Sequence, residues 1–280
     1  MQTKKYPYTW EEAIEILRNH PEHKQIVYDA YLTTDLISNA TRFERSAELQ
    51  ETIKLIKKFN PQAKTILDVP AGNGIATYAF SVNGFYVTAV EPDGGATLGR
   101  EAIRFLLDKF GINAEIVNSF GENLPLENQT FDVVYVRQGL HHAMDLTKMI
   151  SEYYRVLKSG GILVACREHV VDNKKESLQA FLDKQVDHQL YGGENAFTLN
   201  EYVEAMRKTK FEILAEIAPY DSPINLHPYT TKDLSDKILE TNVGRLLSKF
   251  LPANIVSKIG FKVLKFSKRP GRLYSFVAKK

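Results

Sequence analysis

Short apolar runs alternate with longer amphipathic segments in the middle of the chain, between residues 65 and 166. A short apolar run bounded by turn residues is typical of a buried strand, whereas apolar positions three to four residues apart are typical of a helix. Strands that alternate with helices in this way predict a doubly wound α/β sheet of mostly parallel strands. The five predicted strands are TILDV (65–69), YVTAV (86–90), AEIV (114–117), DVVYV (132–136) and GILVAC (161–166).

The flanking sequence predicts further helices and two more strands. The first sixty residues read as three helices; the first begins with the capping-box pattern T-W-E-E at Thr9, and the third runs unbroken through RFERSAELQETIKLIKKF (42–59). After the fifth strand, TLNEYVEAMRKT reads as a helix, and FEILAEIAPY and LYSFVAK read as strands. We therefore predict an N-terminal helical cap (1–60), an α/β core (61–220) with a lid-like insertion (170–197), a basic helical insertion (221–271) and a last core strand (272–280).

Composition and the absence of targeting segments indicate where in the cell the protein is expected. The 44% apolar and 25% charged content is that of an ordinary globular protein. No run of about 18 apolar residues is present, which predicts no transmembrane helix, and the start MQTKKYPYTWEEAIEIL lacks the features of a secretory signal. The single cysteine, Cys166, has no partner for an intramolecular disulfide. These features predict a cytoplasmic protein.

The net charge of +2 hides a strong asymmetry along the chain. Residues 241–280 carry ten lysines and arginines and no acidic residue. A basic segment that is also rich in Leu, Ile, Val and Phe is typical of contact with an anionic or interfacial partner, and also of solvated terminal helices. Three uses stay open: peripheral docking on the inner face of a membrane that carries a lipid-linked substrate, binding the phosphates of a nucleotide sugar, and self-association.

The first predicted strand leads into a glycine turn, ILDVPAGNG (66–74), and the second ends at Glu91. Glycines at this turn let a ligand approach the backbone closely, and an acid at the tip of the next strand accepts hydrogen bonds from ribose hydroxyls. The pattern predicts a cofactor that carries adenosine, either NAD(P) or S-adenosylmethionine. Thr77 replaces the third glycine of the dinucleotide fingerprint. Asp68 would suit a sulfonium and an α-amino group better than a pyrophosphate, which favours S-adenosylmethionine.

The alternative reading is an NAD(P)-dependent oxidoreductase. Such an enzyme would carry a Tyr-x-x-x-Lys pair on the helix after the fifth strand. The match in this chain, Tyr154 to Lys158, precedes that strand, where Lys158 is better explained as a lysine at a helix C-terminus. A cofactor-binding partner protein without turnover is the alternative outside enzymes.

A family resemblance now emerges from five motifs. ILDVPAGNG, VEPD, GENLP, FDVVYVRQGLHH and RVLKSGGIL together resemble class I S-adenosylmethionine-dependent methyltransferases, most closely the ubiquinone/menaquinone biosynthesis branch. The resemblance implies a Rossmann-like methyltransferase fold with a seven-stranded, mostly parallel sheet and S-adenosylmethionine as cofactor. RFERSAEL, REHVV and LYGGENAFTLNEY are similar to a bacterial group of methyltransferases from cell-surface polysaccharide gene clusters.

The resemblance also implies which residues bind the cofactor. The glycine turn would contact the methionine portion, Glu91 would bind both ribose hydroxyls, and the segments after the second and third strands would enclose the adenine. Two departures from the family stand out: Pro70–Ala71 in the turn, and Phe120 where relatives often have an aspartate. The implied residues are Asp68, Ala71, Gly72, Asn73, Gly74, Glu91, Pro92, Asp93, Phe120, Gly121, Glu122 and Arg137.

The methyl acceptor is expected at the carboxyl ends of the fourth and fifth strands, where ligands of open α/β sheets bind. Methyl transfer needs alignment and exclusion of water, and a base only when the acceptor is a poor nucleophile such as a sugar hydroxyl. Each candidate also has a structural reading as a packed loop residue or a partner in an ion pair. The catalytic candidates are His142, Glu168 and His169, and the substrate-binding candidates are Gln138, His141, Arg167, His188 and Tyr191, the last two on the insertion.

Several reaction classes are disfavoured. The chain has no N-P-P-Y motif after the fourth strand, which disfavours amino methylation of bases. Its one thiol, Cys166, lies within a strand, which disfavours a cysteine nucleophile that attacks pyrimidine C5. The fourth strand ends in Arg137 and not in an acid, which argues against a metal-dependent catechol-type mechanism, and we predict no metal. The expectation is O- or C-methylation of a small molecule, such as a saccharide or lipid-linked intermediate, without a nucleic-acid partner. The acceptor and the oligomeric state are left open.

Overall fold

A computed structural model of the chain describes residues 6–266 and 269–280. Residues 1–5 and 267–268, which belong to the predicted cap and basic insertion, lie outside the described residues. Eight strands form one sheet: β1 (Thr65–Asp68), β2 (Tyr86–Val90), β3 (Glu115–Val117), β4 (Phe131–Arg137), β5 (Leu157–Val171), β6 (Phe197–Thr198), β7 (Glu212–Ile217) and β8 (Arg272–Lys279).

The strand order is β3-β2-β1-β4-β5-β8-β7, with the two-residue β6 beside the end of β5. The first five strands pair in parallel, and β8 is antiparallel to both β5 and β7. The predicted doubly wound, mostly parallel sheet is confirmed. The strands β1, β2 and β4 lie within one or two residues of their predicted positions.

The predicted end of the fifth strand was wrong. The strand continues past Cys166 to Val171, and the polar residues Arg167–His169 lie inside it. Its pairing with β8 is irregular between Ala165 and Glu168, and Arg167 has a φ of +62°, which is uncommon for a residue with a side chain. This bulge lets a polar triplet sit within a buried strand while β8 continues the ladder beyond it.

The α-helices described before the sheet lie in the region of the predicted cap, and one helix prediction there was wrong. They are α1 (Trp10–Asn19), α2 (Lys24–Asp29), α3 (Leu36–Glu44) and α4 (Ala47–Phe59). The predicted unbroken helix over 42–59 is interrupted because the Ser46 hydroxyl accepts a hydrogen bond from the Leu49 N–H at 3.1 Å and starts α4 there. The break lets α3 pack on the helix after β1 while α4 packs on the sheet.

The remaining helices cover the sheet and form the two insertions. They are α5 (Ile75–Val82), α6 (Arg100–Phe110), α7 (Leu146–Val156), α8 (Glu176–Leu182), α9 (Val186–Leu190), α10 (Leu199–Lys208), α11 (Thr231–Glu240), α12 (Asn242–Leu247) and α13 (Ala253–Lys265). None of the helices within 6–266 or 269–280 is long and apolar enough to cross a membrane.

The sheet is buried on both faces, because its side chains alternate between two cores. Val133 and Tyr135 of β4 face the core formed with α3, α4 and α5. Val134 and Val136 of the same strand face the core formed with α7 and α10. Apolar side chains therefore fill most of the sheet, and the buried polar side chains of its strands gather at the strand ends and at the bulge of β5.

Candidate functional site

The turn between β1 and α5 carries the two expected glycines. Gly72 and Gly74 have φ values of +54° and +82°, which favour glycine. A Cβ on Gly74 would also lie 3.1 Å from the Ile103 backbone and side chain, so a side chain there would be crowded as well as strained. The Ala71 N–H donates to the Val90 carbonyl at 2.9 Å, which fixes the turn against the end of β2.

Glu91 joins the glycine turn to the loop after β2. Its two carboxylate oxygens accept hydrogen bonds from the N–H groups of Gly72 at 2.7 Å and Asp93 at 2.9 Å. The side chain is buried, and burial raises the pKa of Glu91 to about 7 although these two donors oppose the rise. Each carboxylate oxygen has a second lone pair, which is available to a ribose hydroxyl.

Asp68, at the end of β1, is hydrogen-bonded by Thr77. The sequence analysis considered Thr77 only as the replacement for the third glycine of the dinucleotide fingerprint. The Thr77 hydroxyl donates to Asp68 Oδ2 at 2.6 Å. Burial raises the pKa of Asp68 to about 7, and the hydrogen bond from Thr77 partly offsets it. The spacing of nine residues, which puts Thr77 in the first turn of α5 facing the strand end, was the available signal for this pair.

The loop after β2, which the resemblance assigns to the adenine, is held by Arg100, a residue that the sequence analysis did not name. Its guanidinium donates to the carbonyls of Glu91 at 3.0 Å and Pro92 at 2.5 Å, so it fixes the loop after β2. Asp93 Oδ1 accepts from the Gly95 N–H at 2.8 Å. Phe120, which the resemblance assigns to the adenine, is 62% exposed.

Two other residues that were predicted to line the adenine, Gly121 and Glu122, contact α7 and the segment before it. Gly121 lies against Tyr153 and Met149, where a Cβ would be 2.5 Å from the Tyr153 hydroxyl. Glu122 accepts a hydrogen bond from the Met144 N–H at 3.0 Å. Their contacts shape the loop before β4, and their roles in cofactor binding stay predictions.

The helical cap is tied to the cofactor loops. The Asn73 side-chain amide donates to the Tyr31 carbonyl at 2.7 Å. Glu11 of α1 accepts from the backbone N–H of Thr97 at 3.0 Å and from its hydroxyl at 2.9 Å. The cap therefore contacts both the glycine turn and the loop after β2.

The insertion between β5 and β6 packs on the same cap. The rings of Trp10 and Tyr191 lie 5.3 Å apart, and the Tyr6 hydroxyl lies 3.0 Å from His188 Nε2. The two insertion residues predicted to bind substrate are thus in contact with the cap. Their roles as substrate ligands stay predictions.

Arg137 and Arg167 both lie against the carboxylate of Glu48, a residue that the sequence analysis did not identify. Arg137 donates two hydrogen bonds to Glu48 of α4, at 2.6 and 3.2 Å, and Arg167 Nε lies 3.7 Å from the same carboxylate. Arg167 also donates to the carbonyls of Ile224 and His227, both at 3.0 Å. These contacts form a buried network, and the predicted roles of the two arginines in ligand binding stay predictions.

Glu48 is buried, which opposes its ionisation, but Arg137 and Arg167 outweigh burial and lower its pKa below the ordinary value. Burial also opposes the charge of Arg137, and Glu48 overcomes it, so the pKa of Arg137 is raised. The signal for Glu48 was its place on the apolar face of α4, beside Leu49 and one turn before Thr52. Helical periodicity shows such a residue to be buried, but it does not identify its partners.

The loop after β4 is fixed by Glu168 of β5. The Glu168 carboxylate accepts from the N–H groups of Gly139 at 3.0 Å and His141 at 3.1 Å, and lies 2.8 Å from His141 Nδ1. Glu168 is completely buried, and burial raises its pKa. It therefore holds the loop and His141 in place, and its predicted catalytic role stays a prediction.

The same loop lies directly against the glycine turn. A side chain on Gly139 would collide with the ring of Pro70. The preceding residue, Gln138, has a φ of +50° and donates its N–H to the Cys166 carbonyl at 2.9 Å. The fold thus places the predicted acceptor loop beside the predicted cofactor turn.

Three imidazoles converge near Glu194, a residue of the insertion that the sequence analysis did not name. His141 Nε2 and His142 Nε2 lie 3.6 and 3.8 Å from the Glu194 carboxylate. The His169 ring centroid lies 4.8 Å from that of His141. Glu194 follows the Gly192–Gly193 pair, and its place in the LYGGEN segment was the available signal.

Burial controls the charges in this cluster. It raises the pKa of Glu194 to about 8, with Asp187 and Glu168 adding to the rise, and it lowers the pKa of His169 to about 3. Burial also lowers the pKa of His141. At neutral pH these two imidazoles are therefore unprotonated, and each presents a nitrogen lone pair.

Known proteins match the part of the chain that carries the glycine turn, Glu91 and the loop after β4. A family model described as a methyltransferase domain matches residues 67–165. The ubiquinone/menaquinone biosynthesis C-methyltransferase of Enterobacter sp. is 35% identical over 109 residues, which cover 37% of this chain and 42% of that protein. The Campylobacter jejuni protein of the same name is 28% identical over 119 residues, which cover 36% of this chain and 51% of that protein. The chain thus matches about half the length of the curated relatives.

A solved structure extends the similarity to most of the fold. The geranyl diphosphate C-methyltransferase of Streptomyces coelicolor A3(2), in complex with Mg²⁺, geranyl-S-thiolodiphosphate and S-adenosyl-L-homocysteine, aligns over 82% of this chain and 75% of that chain. Its TM-score is 0.55 at 12% sequence identity. Identity at this level supports the architecture alone.

Proposed function

We propose that this chain, which carries a class I methyltransferase domain similar to the ubiquinone/menaquinone branch, methylates a small molecule with S-adenosylmethionine. The observation that carries the proposal is the Glu91 carboxylate, held by the N–H groups of Gly72 and Asp93 at the tip of β2. This arrangement presents an acceptor for ribose hydroxyls beside a glycine turn, within the segment that matches the methyltransferase model.

In this proposal, different residues bind different parts of the cofactor. Glu91 accepts the ribose hydroxyls, the backbone at Gly72 and Gly74 receives the methionine portion, and Asp68 faces its positive charge. The exposed Phe120 ring provides a face on which adenine can stack. S-adenosylmethionine supplies a methyl group that is already activated by the sulfonium, so the protein mainly aligns the two reactants and excludes water.

We place the acceptor at the cluster of His141, His142, His169 and Glu194. The loop that carries the first two lies against Pro70 of the glycine turn, which brings acceptor and donor together. Unprotonated imidazoles accept hydrogen bonds from hydroxyl groups and offer a place for a proton. These groups favour O-methylation of a hydroxyl acceptor such as a saccharide over C-methylation. The insertion over 170–197, which carries Glu194, would close the site as a lid.

Calorimetry with S-adenosylhomocysteine, S-adenosylmethionine and NADPH tests the cofactor. We expect one site per chain for the first two and no heat with NADPH. Incubation with a panel of saccharides and isoprenoid quinones, with S-adenosylhomocysteine release as the readout, tests the acceptor class. Binding of NADPH alone would overturn the proposal in favour of an oxidoreductase. Tight cofactor binding with no turnover on any hydroxyl acceptor would overturn O-methylation.

Cofactor affinity should rise with pH. Burial raises the pKa values of Asp68 and Glu91 to about 7, so both carboxyls are largely protonated in the free protein below that pH. A bound sulfonium and ribose hydroxyls favour the carboxylates, so binding releases protons and strengthens by up to about tenfold per pH unit for each group as pH rises towards about 7. Titrations with S-adenosylmethionine from about pH 5.5 to about pH 8.5 check this. An affinity that is flat or falls over this range would contradict it, and Asp68→Asn should flatten part of the slope.

We also propose that α13 contacts an anionic lipid surface. Ile255, Ile259 and Val263 form an apolar stripe on its exposed face, and Phe266 continues it just past the helix end; their exposed fractions are 42%, 39%, 64% and 84%. The opposite face packs on α11, where Gly260 meets Ile238. Beside the stripe lie Lys258, Lys262 and Lys265, the last paired with Asp221. Their charge fits anionic lipid headgroups, which supports a membrane over a neutral partner.

Removing two of these lysines should weaken vesicle binding. Each lysine near an anionic surface contributes about 1 kcal/mol, so Lys258→Ala with Lys262→Ala should reduce partitioning roughly 30-fold. Flotation with phosphatidylglycerol vesicles, and with phosphatidylcholine vesicles as the neutral comparison, measures this. Lys57→Ala with Lys58→Ala, exposed on α4, is the matched control and should change little. Equal binding to both kinds of vesicle, or none, would exclude the lipid surface.

A further inference from the structure

We propose that His141, His169 and Glu194 bind a divalent transition-metal ion at the acceptor site. One ligand atom from each residue lies within 4.8 Å of the other two. His141 belongs to the loop after β4, His169 to β5 and Glu194 to the insertion, so only the folded chain brings them together. The sequence analysis predicted no metal because it considered the residue that ends β4 and not these three segments.

The outer contacts of both imidazoles are those of metal ligands. His169 Nδ1 lies 3.1 Å from the Gly271 carbonyl, which can only accept, so this nitrogen carries the proton. His141 Nδ1 lies 2.8 Å from the Glu168 carboxylate, the carboxylate–histidine arrangement that orients many metal ligands. In both rings Nε2 is therefore the nitrogen with a lone pair. These contacts fix the tautomers and the ring orientations before any ion arrives.

Glu194 supplies the third donor. Its side chain is only 10% exposed, and its carboxyl oxygens lie 3.6 and 3.8 Å from the Nε2 atoms of His141 and His142. A cation at this position would hold the carboxyl group as a carboxylate, with release of its proton. Two histidines and one carboxylate are a donor set that suits Zn²⁺, Fe²⁺ and Co²⁺ and leaves coordination positions open.

Metal binding would also fix the insertion. Ligand atoms in a tetrahedral zinc site lie about 3.3 Å apart, given metal–ligand distances of about 2.0 Å, so the present set must contract. His141 and His169 are anchored to the sheet by Glu168 and Gly271. Glu194 follows Gly192 and Gly193, which both have positive φ values, so the insertion can supply the movement.

This site deepens the proposed function, and its catalytic part rests on that proposal. A cation at this position would stabilise the deprotonated form of an acceptor hydroxyl. The O–H proton passes to water or to His142, the oxygen electron pair forms the O–CH₃ bond, and the S–CH₃ bond breaks with its pair going to sulfur. The products are a methyl ether and S-adenosylhomocysteine. No oxidant or further reactant is needed.

The test is a titration of the full-length protein, stripped with chelator, with Co²⁺ and then Zn²⁺, in the absence of cofactor. We expect one ion per chain and a Co²⁺ absorption band that Zn²⁺ displaces. Glu194→Gln and His169→Ala should each weaken binding roughly 100-fold, since loss of an outer-shell partner alone costs roughly 10–100-fold. Glu176→Gln, an exposed carboxylate on the same insertion, is the matched control and should bind as the parent does.

Parallel titrations with S-adenosylhomocysteine separate the two proposals. Absence of stoichiometric metal binding, or equal metal affinity in the parent, Glu194→Gln and His169→Ala, would overturn the metal site. If such a protein still binds S-adenosylhomocysteine, the proposed function stands and the imidazoles act as hydrogen-bond acceptors alone. If the parent protein binds metal as expected but does not bind S-adenosylhomocysteine, the metal site stands and the proposed function falls. Retained S-adenosylhomocysteine binding in Glu194→Gln and His169→Ala shows that these variants fold.

Discussion

The Glu91→Gln variant is expected to bind S-adenosylhomocysteine roughly 100-fold more weakly than the parent, since a hydrogen bond to a charged group contributes about 1.5–3 kcal/mol. The carboxylate has one oxygen on the Gly72 N–H and the other on the Asp93 N–H, and the ribose hydroxyls use the remaining lone pairs. An amide replaces one acceptor by a donor, which faces one of these two N–H groups. Isothermal calorimetry with S-adenosylhomocysteine gives the dissociation constant without turnover.

Glu115→Gln provides the control for charge. Glu115 begins β3, the strand beside β2, and is exposed. Its replacement removes the same charge from the same edge of the sheet without touching the turn, so we expect the parental dissociation constant. If Glu91→Gln binds within a factor of about three of Glu115→Gln, too little for even one hydrogen bond to a charged group, then the assignment of Glu91 to the ribose is wrong.

The largest loss of stability is expected from Glu48→Gln, at about 3–5 kcal/mol of unfolding free energy. Glu48 has no exposed side-chain surface and lies between Arg137 and Arg167, which are themselves largely buried. Removing the carboxylate leaves two guanidinium ions in the interior without a counter-charge. Urea unfolding followed by circular dichroism measures the difference.

The pH dependence of this difference has a definite sign. The folded-state pKa of Glu48 lies below its ordinary value of 4.5, so its contribution is present above that pH and is lost as pH falls through the folded-state pKa. Parent and variant should therefore converge in stability in strong acid. Glu51→Gln, which breaks the exposed pair with Lys54 on the same helix, should cost less than about 1 kcal/mol. A similar small cost for Glu48→Gln would refute the buried network.

The parts of the fold that sequence predicted best are those that local pattern determines. The strand from Tyr86 to Val90 and the turn at Gly72 and Gly74 follow from a short apolar run and from positive φ values, which are properties of neighbouring residues. The extent of β5 was missed because β8, about a hundred residues later, pairs with it beyond Cys166. The polar residues Arg167–His169 are therefore read from sequence as the end of the strand, because their pairing with β8 is not visible in the local pattern.

The same distinction applies to the site. The contact of Glu91 with the glycine turn could be predicted because the acid at the tip of the second strand follows that turn at short range. Glu48 and Arg137 are 89 residues apart, and Glu194 meets His141 only through the packing of the insertion. Charges of this kind are placed by tertiary structure, and a single sequence shows their presence without their partners.

The contact between Gly139 and Pro70 has a consequence for how such a protein can change. One side of the proposed acceptor site is joined to the glycine turn so tightly that even a methyl group at residue 139 would disturb both. The other side belongs to the insertion, which is a continuous segment of the chain. If the proposed function holds, new acceptor preferences can evolve through exchange of residues 170–197 while the glycine turn and its loop stay unchanged.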